Sequence, residues 1–440
     1  MTGKYQIRMG TQHAKFCPGE TLCLPLNEKL LPEQLKELGY ATHAVGKWHL
    51  GMSRKACLPT QRGFDSFFGI VLGTADHFTH ERTFKVLDRQ FHGNAFYENE
   101  NATSIYKSNF CTQVYVQRAV QIIKKHDKKK PLFLYVPFQM VHQPDSVPAK
   151  FRHMYKHIEN LQRRHYAGRV AALDEAVKNI TRALRVRGLF KNSVIIFSTD
   201  NGGAIESSAS NWPLRGSKGT LWEGGIRAVG FVHSELFPTF VRGTINTELF
   251  HVTDWFPTLV KGVAHGNLSN IDSKLDGYNI WDSIRSFKPS PRKMILHEIN
   301  RKRDGVNWTR KERAEWGNLN KLPFNATIRA ALRDGKWKLI TGKAGNHNRP
   351  VPLESHVIRR KRPRGEHRGA IRLYDISQDP GEKHNVALEN KRKVKKMLQK
   401  LRQYQKEAKK ALEGQLDERS DPSLHGGAWM PWLDDDVSLN

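Results

Sequence analysis

The feature that most constrains the fold is a change of apolar period along one stretch of chain. Residues 131–138 form a short, nearly continuous apolar run, and residues 193–198 form a second. Between them, Val170, Leu173, Val177, Ile180 and Leu184 recur at alternating spacings of three and four, and Gly188 follows. Continuous runs of that length suit strands covered on both faces. The alternating spacing over 160–187 suits a helix, with the glycine as its stop. A strand–helix–strand succession argues for an α/β sandwich. In such sheets chemistry gathers at the carboxyl ends of strands. His142 follows the first run, and Asp200-Asn201-Gly202-Gly203 follows the second.

The flanking segments extend that plan. Residues 28–40 read as a short helix, with Pro32 in its first turn, Leu31, Leu35 and Leu38 on one face, and Gly39 ending it. Thr42–Val45 reads as a strand entering the turn Gly46-Lys47-Trp48-His49. Past about residue 320 the character changes. Ala330–Ile340 predicts a hairpin on an Asp334-Gly335 turn. Leu373-Tyr374-Asp375 reads as a strand edge and Asp379-Pro380-Gly381 as a turn. Residues 345–370 form a loop rich in Arg and His, including Arg359–Arg364. Residues 389–413 form a very basic helix, with ten Lys and Arg between 391 and 410. The reading is a domain over 1–320 that holds the chemistry, and a smaller α+β domain over 321–440.

Charge narrows the partners. Lys and Arg number 72 against 43 Asp and Glu, a formal +29, so the chain attracts polyanions with a strong dependence on salt. Sulfated polysaccharide and nucleic acid both match that field, but no nucleic-acid module or interleaved aromatic pattern occurs, so nucleic acid is not the expected partner. No apolar run of about 18 residues exists, so no membrane span is expected. Four cysteines exclude a disulfide scaffold. Asn-x-Ser/Thr triplets at Asn101, Asn179, Asn267, Asn307 and Asn325 lean toward a lysosomal or secreted protein.

Several of these residues suit one reaction type. A sulfate monoester spreads negative charge over its oxygens. Cleaving it needs cations around them, a nucleophile in line with sulfur, and an acid for the departing oxygen. Lys47 offers a compact point charge, and His49, two residues on, offers a hydrogen-bond donor. Asp200 and Asn201 are hard oxygen donors that suit Ca²⁺ or Mg²⁺ better than zinc. His142 is placed to protonate a leaving group. Lys218, in Arg215-Gly216-Ser217-Lys218-Gly219, lies where glycines let backbone approach a ligand closely. Taken singly, each also fits a surface loop or a solvated side chain.

The full string Gly39–Gly51, together with Ser198–Gly203, resembles the sulfatase family. Within it the chain looks most like the arylsulfatase B branch, which removes sulfate from galactosamine sugars of glycosaminoglycans. The likeness runs from Met1 to about residue 300 and resumes through Gly335–Leu339, Leu373-Tyr374-Asp375 and Asp379–Glu382. It implies an alkaline-phosphatase-like, mostly parallel sheet between helices. It also implies catalytic and sulfate contacts at Lys47, His49, His142 and Lys218, a calcium ion on Asp200 and Asn201, and a Cys23–Cys57 disulfide. Cys17 and Cys111 are left unassigned. The family's nucleophile is a formylglycine made from cysteine in Cys-x-Pro-Ser-Arg, a motif these residues do not contain. Cys57 in Cys57-Leu58-Pro59-Thr60-Gln61-Arg62 has the wrong arginine spacing. The family motif precedes a Thr-Gly that aligns with Thr2-Gly3, so the nucleophile and two further calcium ligands are expected from a segment not included here. A non-catalytic binder of sulfated polysaccharide is the alternative, and phosphate-ester hydrolysis on the same architecture is a further one.

Overall fold

The computed structural model describes residues 1–13, 15–269, 271, 274–301, 310–317, 321–345 and 369–434. Helix α1 (Leu31–Glu37) is shorter than the 28–40 expected; the Glu33 carboxylate accepts from the Leu30 N–H to close its first turn. It delivers the chain to β1 (Ala41–Lys47), which continues through Gly46 and Lys47 rather than ending at Val45. β1 lies between β2 (Ser66–Ile70) and, further along the chain, β7 (Leu132–Tyr135), and is parallel to both. A hairpin of β3 (Glu81–Val86) and β4 (Arg89–Asn94) intervenes. β5 (Phe96–Glu98) and β6 (Asn101–Ala102) then add antiparallel strands beyond β2, giving the order β6-β5-β2-β1-β7. The result is an α/β fold with a mixed sheet, parallel where Lys47 and the strand before His142 lie. Val45, Phe67, Phe68, Ile70, Phe96 and Tyr97 fill its core.

Helix α2 (Cys111–Lys125) and the short α3 (Ala149–His153) pack against the long α4 (Leu161–Arg187). The Asn160 side chain accepts from Arg163 N–H at the start of α4, and Gly188 in left-handed conformation ends it. The face that α4 buries differs from the one expected. Gly168, Arg169, Ala172, Ala176 and Ala183 turn inward, while the Val170–Leu184 stripe is only half-buried, with Val170 45 % exposed. Close approach explains it: a Cβ on Gly168 would sit 3.2 Å from the Phe151 backbone, a separation that a larger inward side chain would not permit.

β8 (Ile195–Ser198) follows α4 and pairs antiparallel with β9 (Gly230–His233) alone. Among the described residues β7 pairs only with β1 and β8 only with β9, so neither is a strand flanked on both sides. Their residues are half-buried rather than fully covered, a correction to the expectation from the apolar runs.

A second, antiparallel sheet joins β10 (Met294–Asn300), β11 (Arg329–Asp334), β12 (Trp337–Thr341) and β13 (Ile371–Asp375) in that order. The β11–β12 turn is the expected hairpin, with Gly335 at φ +57°, and β13 is the expected edge. β10 comes from before residue 320, so this sheet draws one strand from the larger sequence segment. The helix Lys391–Lys406 lays Val394, Met397, Leu398 and Leu401 on its Leu332–Leu339–Leu373 face. The chain then returns to the N-terminal segments through bridges Glu20–Leu416, Asn94–Ala428 and Arg54–Leu433, and Trp429 ends fully buried in the first core. Cys23 and Cys57 form the disulfide the resemblance implied. Arg359–Arg364 and Asn307 lie outside the described residues.

Candidate active site

Lys47 is set by backbone contact. A Cβ on Gly46 would lie 2.2 Å from Pro137 O, and one on Gly69 would lie 1.9 Å from Gly46 O. Only glycine lets the three segments meet so closely. The Lys47 N–H donates to Pro137 O at 2.8 Å, and the next two amides, Trp48 and His49, donate to Ile70 O and Val71 O. His49 takes the left-handed conformation, φ +55°, and its ring covers Gly73, where a Cβ would come within 2.6 Å. Burial pushes His49 down to about 4, helped by the charges of Lys47, Lys218 and His142, so its ring is neutral near pH 7. Burial also lowers Lys47; the Asp200 carboxylate opposes that and Lys218 adds to it.

His142 stands on a loop held from beneath. His77 Nε2 lies 3.1 Å from His142 O, and a carbonyl only accepts, so Nε2 carries the proton. With burial pushing His77 down to about 4, its ring is neutral and Nδ1 is free to accept from Gln139 Nε2 at 3.0 Å. Arg169, fully buried, donates from Nη1 to both Val141 O and His142 O at 3.1 Å and pairs with Asp145 at 2.7 Å. His142 Nδ1 donates to Gln143 O at 3.0 Å, which leaves Nε2 as the working nitrogen. Burial lowers His142, with Lys218 and Lys47 adding and Asp200 opposing.

The Asp200 loop and the Lys218 loop are hydrogen-bonded into one unit. The Lys218 N–H donates to Gly203 O at 3.2 Å, and Asn211 bonds Gly203 N, Gly203 O and Gly216 O through its amide. Gly202 is obligatory, since a Cβ there would fall 1.8 Å from Gly224 O. Asn201 donates Nδ2 to Gly202 O, leaving Oδ1 available, and the Asp200 carboxylate is exposed. These are two hard oxygens of the kind a calcium ion takes, but calcium needs six to eight. Among the described residues no cluster of three or more His, Cys, Asp or Glu side chains is placed to hold a metal.

Lys47, His49, His142, Asp200 and Lys218 therefore share one electrostatic field, reached from the carboxyl ends of β1, β7 and β8. Asn201 is the direct neighbour of Asp200. Lys47 feels the Asp200 carboxylate and the Lys218 ammonium with opposite sign. Sequence reasoning missed His77, Arg169 and Asn211, which position the others. Arg169 left a signal: it shares a helical face with Ala172 and Ala176, an inward stripe where an arginine is unusual. Cys111, beside His77 Nδ1 at 3.4 Å, is pushed by burial up to about 12 and is inert as a nucleophile.

An α/β fold with lysines and histidines gathered near its strand ends points to the class, and comparison with known proteins specifies it. The sulfatase family profile matches residues 1–263, and the chain belongs to the sulfatase family. It is 44 % identical to mouse arylsulfatase J over 98 % of this chain and 71 % of that one. Against human N-acetylgalactosamine-6-sulfatase identity is 30 %, over 64 % of this chain and 55 % of that one, so the chain spans about half of that relative. The fold matches the crystal structure of Ps i-CgsB in complex with k-i-k-neocarrahexaose at a TM-score of 0.72 and 22 % identity, covering 97 % of this chain and 85 % of that one. It also matches BT4656 in complex with its substrate D-glucosamine-2-N,6-O-disulfate, at 0.57 and 14 %, covering 92 % and 87 %.

Proposed function

We propose that this chain supplies the sulfate-gripping half of a sulfuric ester hydrolase of arylsulfatase type, acting on sulfated N-acetylgalactosamine in glycosaminoglycans. The observation that carries the reading is that Lys47 lies within reach of two opposed charges, the Lys218 ammonium and the Asp200 carboxylate. The repulsion between the two ammonium groups is relieved when sulfate oxygens enter, and it is relieved further as charge grows on those oxygens in the transition state. His49, neutral, donates a hydrogen bond to the same group. His142, once protonated at Nε2, gives that proton to the departing sugar oxygen; its depressed basicity makes the imidazolium a ready donor. Asp200 and Asn201 would hold calcium with oxygens from elsewhere, and the ion would supply positive charge to the sulfate. The nucleophile of the reaction would be a formylglycine. The relatives' names, an arylsulfatase and an N-acetylgalactosamine-6-sulfatase, support the substrate class.

A lysosomal or secreted location goes with this reading. Three of the glycosylation triplets, Asn101, Asn267 and Asn325, are exposed, and no described helix is long and apolar enough to cross a membrane. The decisive experiment joins this chain to a Cys-x-Pro-Ser-Arg segment, co-expresses it with the formylglycine-forming machinery, and measures turnover of matched aryl sulfate and aryl phosphate. Sulfate turnover is expected, falling at least about 100-fold in Lys47→Ala. Unchanged turnover in that variant removes Lys47 from the site, and faster phosphate turnover replaces the reaction.

A further inference from the structure

The helix Lys391–Lys406 divides its sides unusually cleanly. Its inward stripe, Val394, Met397, Leu398 and Leu401, is fully buried. Its outward side presents Arg392, Lys395, Lys396, Lys400, Arg402 and Lys406, all exposed, and the helix contains no acidic residue. Among the described residues none of those six makes an ion pair or a side-chain hydrogen bond. Lys393, on the flank, does pair, with Asp334 at 2.7 Å. Arg392–Lys396, Lys396–Lys400 and Arg402–Lys406 are like-charge pairs four residues apart, an arrangement that weakens a helix. A merely solvated face would carry interleaved glutamates at no loss. The retained repulsion marks a surface that gains from an anion.

We propose that this strip docks a linear sulfated polysaccharide, engaging sulfates along about 24 Å of helix and holding the polymer to the enzyme. The choice of polysaccharide rests on the substrate class proposed above; the strip itself rests on the geometry. Charge complementarity admits other polyanions, and the structure argues against two. A helix that sinks into a lipid surface needs a free apolar face, and here that face is covered by Leu332, Leu339 and Leu373. Single-stranded nucleic acid needs exposed aromatic platforms, and the one aromatic of the helix, Tyr404, packs edge-on against Tyr5.

The test uses the whole chain and size-fractionated chondroitin sulfate as the probe, with affinity measured across a salt series. Changing the six residues to glutamine, a good helix former, is expected to lower affinity at least about tenfold near physiological salt and to flatten the salt slope. The thermal midpoint is expected to hold or rise, because repulsion is removed. A control changes Lys36, Lys55, Lys107, Lys150, Lys288 and Lys336 to glutamine; these are exposed, dispersed and paired with acids, and the net charge change is equal. Affinity within about twofold of the parent is expected there. Equal losses in both variants, or a loss in neither, overturn the strip. Tighter binding of single-stranded DNA or of phosphatidylserine vesicles than of chondroitin sulfate overturns the choice of ligand. Aryl sulfate turnover in the formylglycine-bearing form separates the two readings. Failure of that turnover with chondroitin sulfate binding intact sinks the hydrolase and leaves the strip standing.

Discussion

The two sheets are covered to very different degrees. In the C-terminal sheet Leu332, Leu339, Ile340, Leu373 and Tyr374 are fully buried, and even Lys338 is sealed in, with its ammonium 3.0 Å from Glu223 and 2.8 Å from Glu382. Lys338 bridges the two carboxylates, and Arg333 reaches Glu223 at 4.0 Å. Burial pushes Glu223 up but Lys338 outweighs it and holds it below the ordinary range, whereas burial keeps Glu382 above it. In β7, at the edge of the first sheet, and in the separate β8–β9 pair, equally apolar residues are left half-buried, and His142 and Asp200 follow those strands. The lesson is a division of labour: the C-terminal sheet stores stability, while β7 and the β8–β9 pair keep open the edges next to the candidate site.

That contrast can be broken by substitution, starting with the largest expected effect. Lys338→Met removes the cation between two buried carboxylates, and a loss of about 3–5 kcal/mol in denaturant unfolding is expected. A loss under about 1 kcal/mol would show the cluster to be solvated and the contrast overstated. Leu339→Ala should cost about 2–5 kcal/mol, as for a large side chain deleted from a closed core. Phe197→Ala on β8, where the ring is half-buried and stacks on Phe231 at 4.9 Å, should cost about half as much or less. Equal costs would place the β8–β9 pair and the C-terminal sheet in one class.

Acid sharpens the comparison further. Burial pushes His251 down to about 3, with Arg292 adding, and His77 down to about 4. An unfolded histidine titrates near about 6.5, so below that value the unfolded chain binds more protons. Stability is therefore full above about pH 6.5 and falls as pH drops toward 4, which thermal midpoints across that range will record. Turnover has the opposite slope on its basic side. His142 must be protonated, and its value lies below the ordinary one, so kcat is expected to fall as pH rises through the acidic range. The smallest effect belongs to Cys111→Ser, where turnover within about twofold of the parent is expected from an inert thiol; loss of turnover would give Cys111 a role the geometry does not.

Much of this was legible in the residues themselves. Lys47, His49, His142, Asp200 and Lys218 stand out in local strings; the first four lie at or just after strand ends, and Lys218 joins them through the loop bonded to Gly203. The hairpin at Gly335, the edge at β13 and the basic helix were also readable, since turn chemistry and helical period are local. The burial of α4 was not. Its alanine–glycine side wins over its valine–leucine side because three helices must approach closely, a demand set by partners far along the chain. Arg169 and His77 escaped notice for the same reason: they act on a carbonyl of another segment. The coverage of β7 and β8 depends on which strands lie beside them, which an apolar run does not reveal.

Glu223 is bonded to Lys338, while its neighbour Trp222 packs in the core of the second sheet with Ile340 and Tyr374, a few residues from Lys218. The loop that presents one of the two ammonium groups is thus moored to a scaffold on which no chemistry occurs. A change many residues away in β12 would therefore reach the Lys218 loop as well as the stability of its own sheet. Inherited or engineered variants in that strand belong among the functional ones, whatever their distance in sequence suggests.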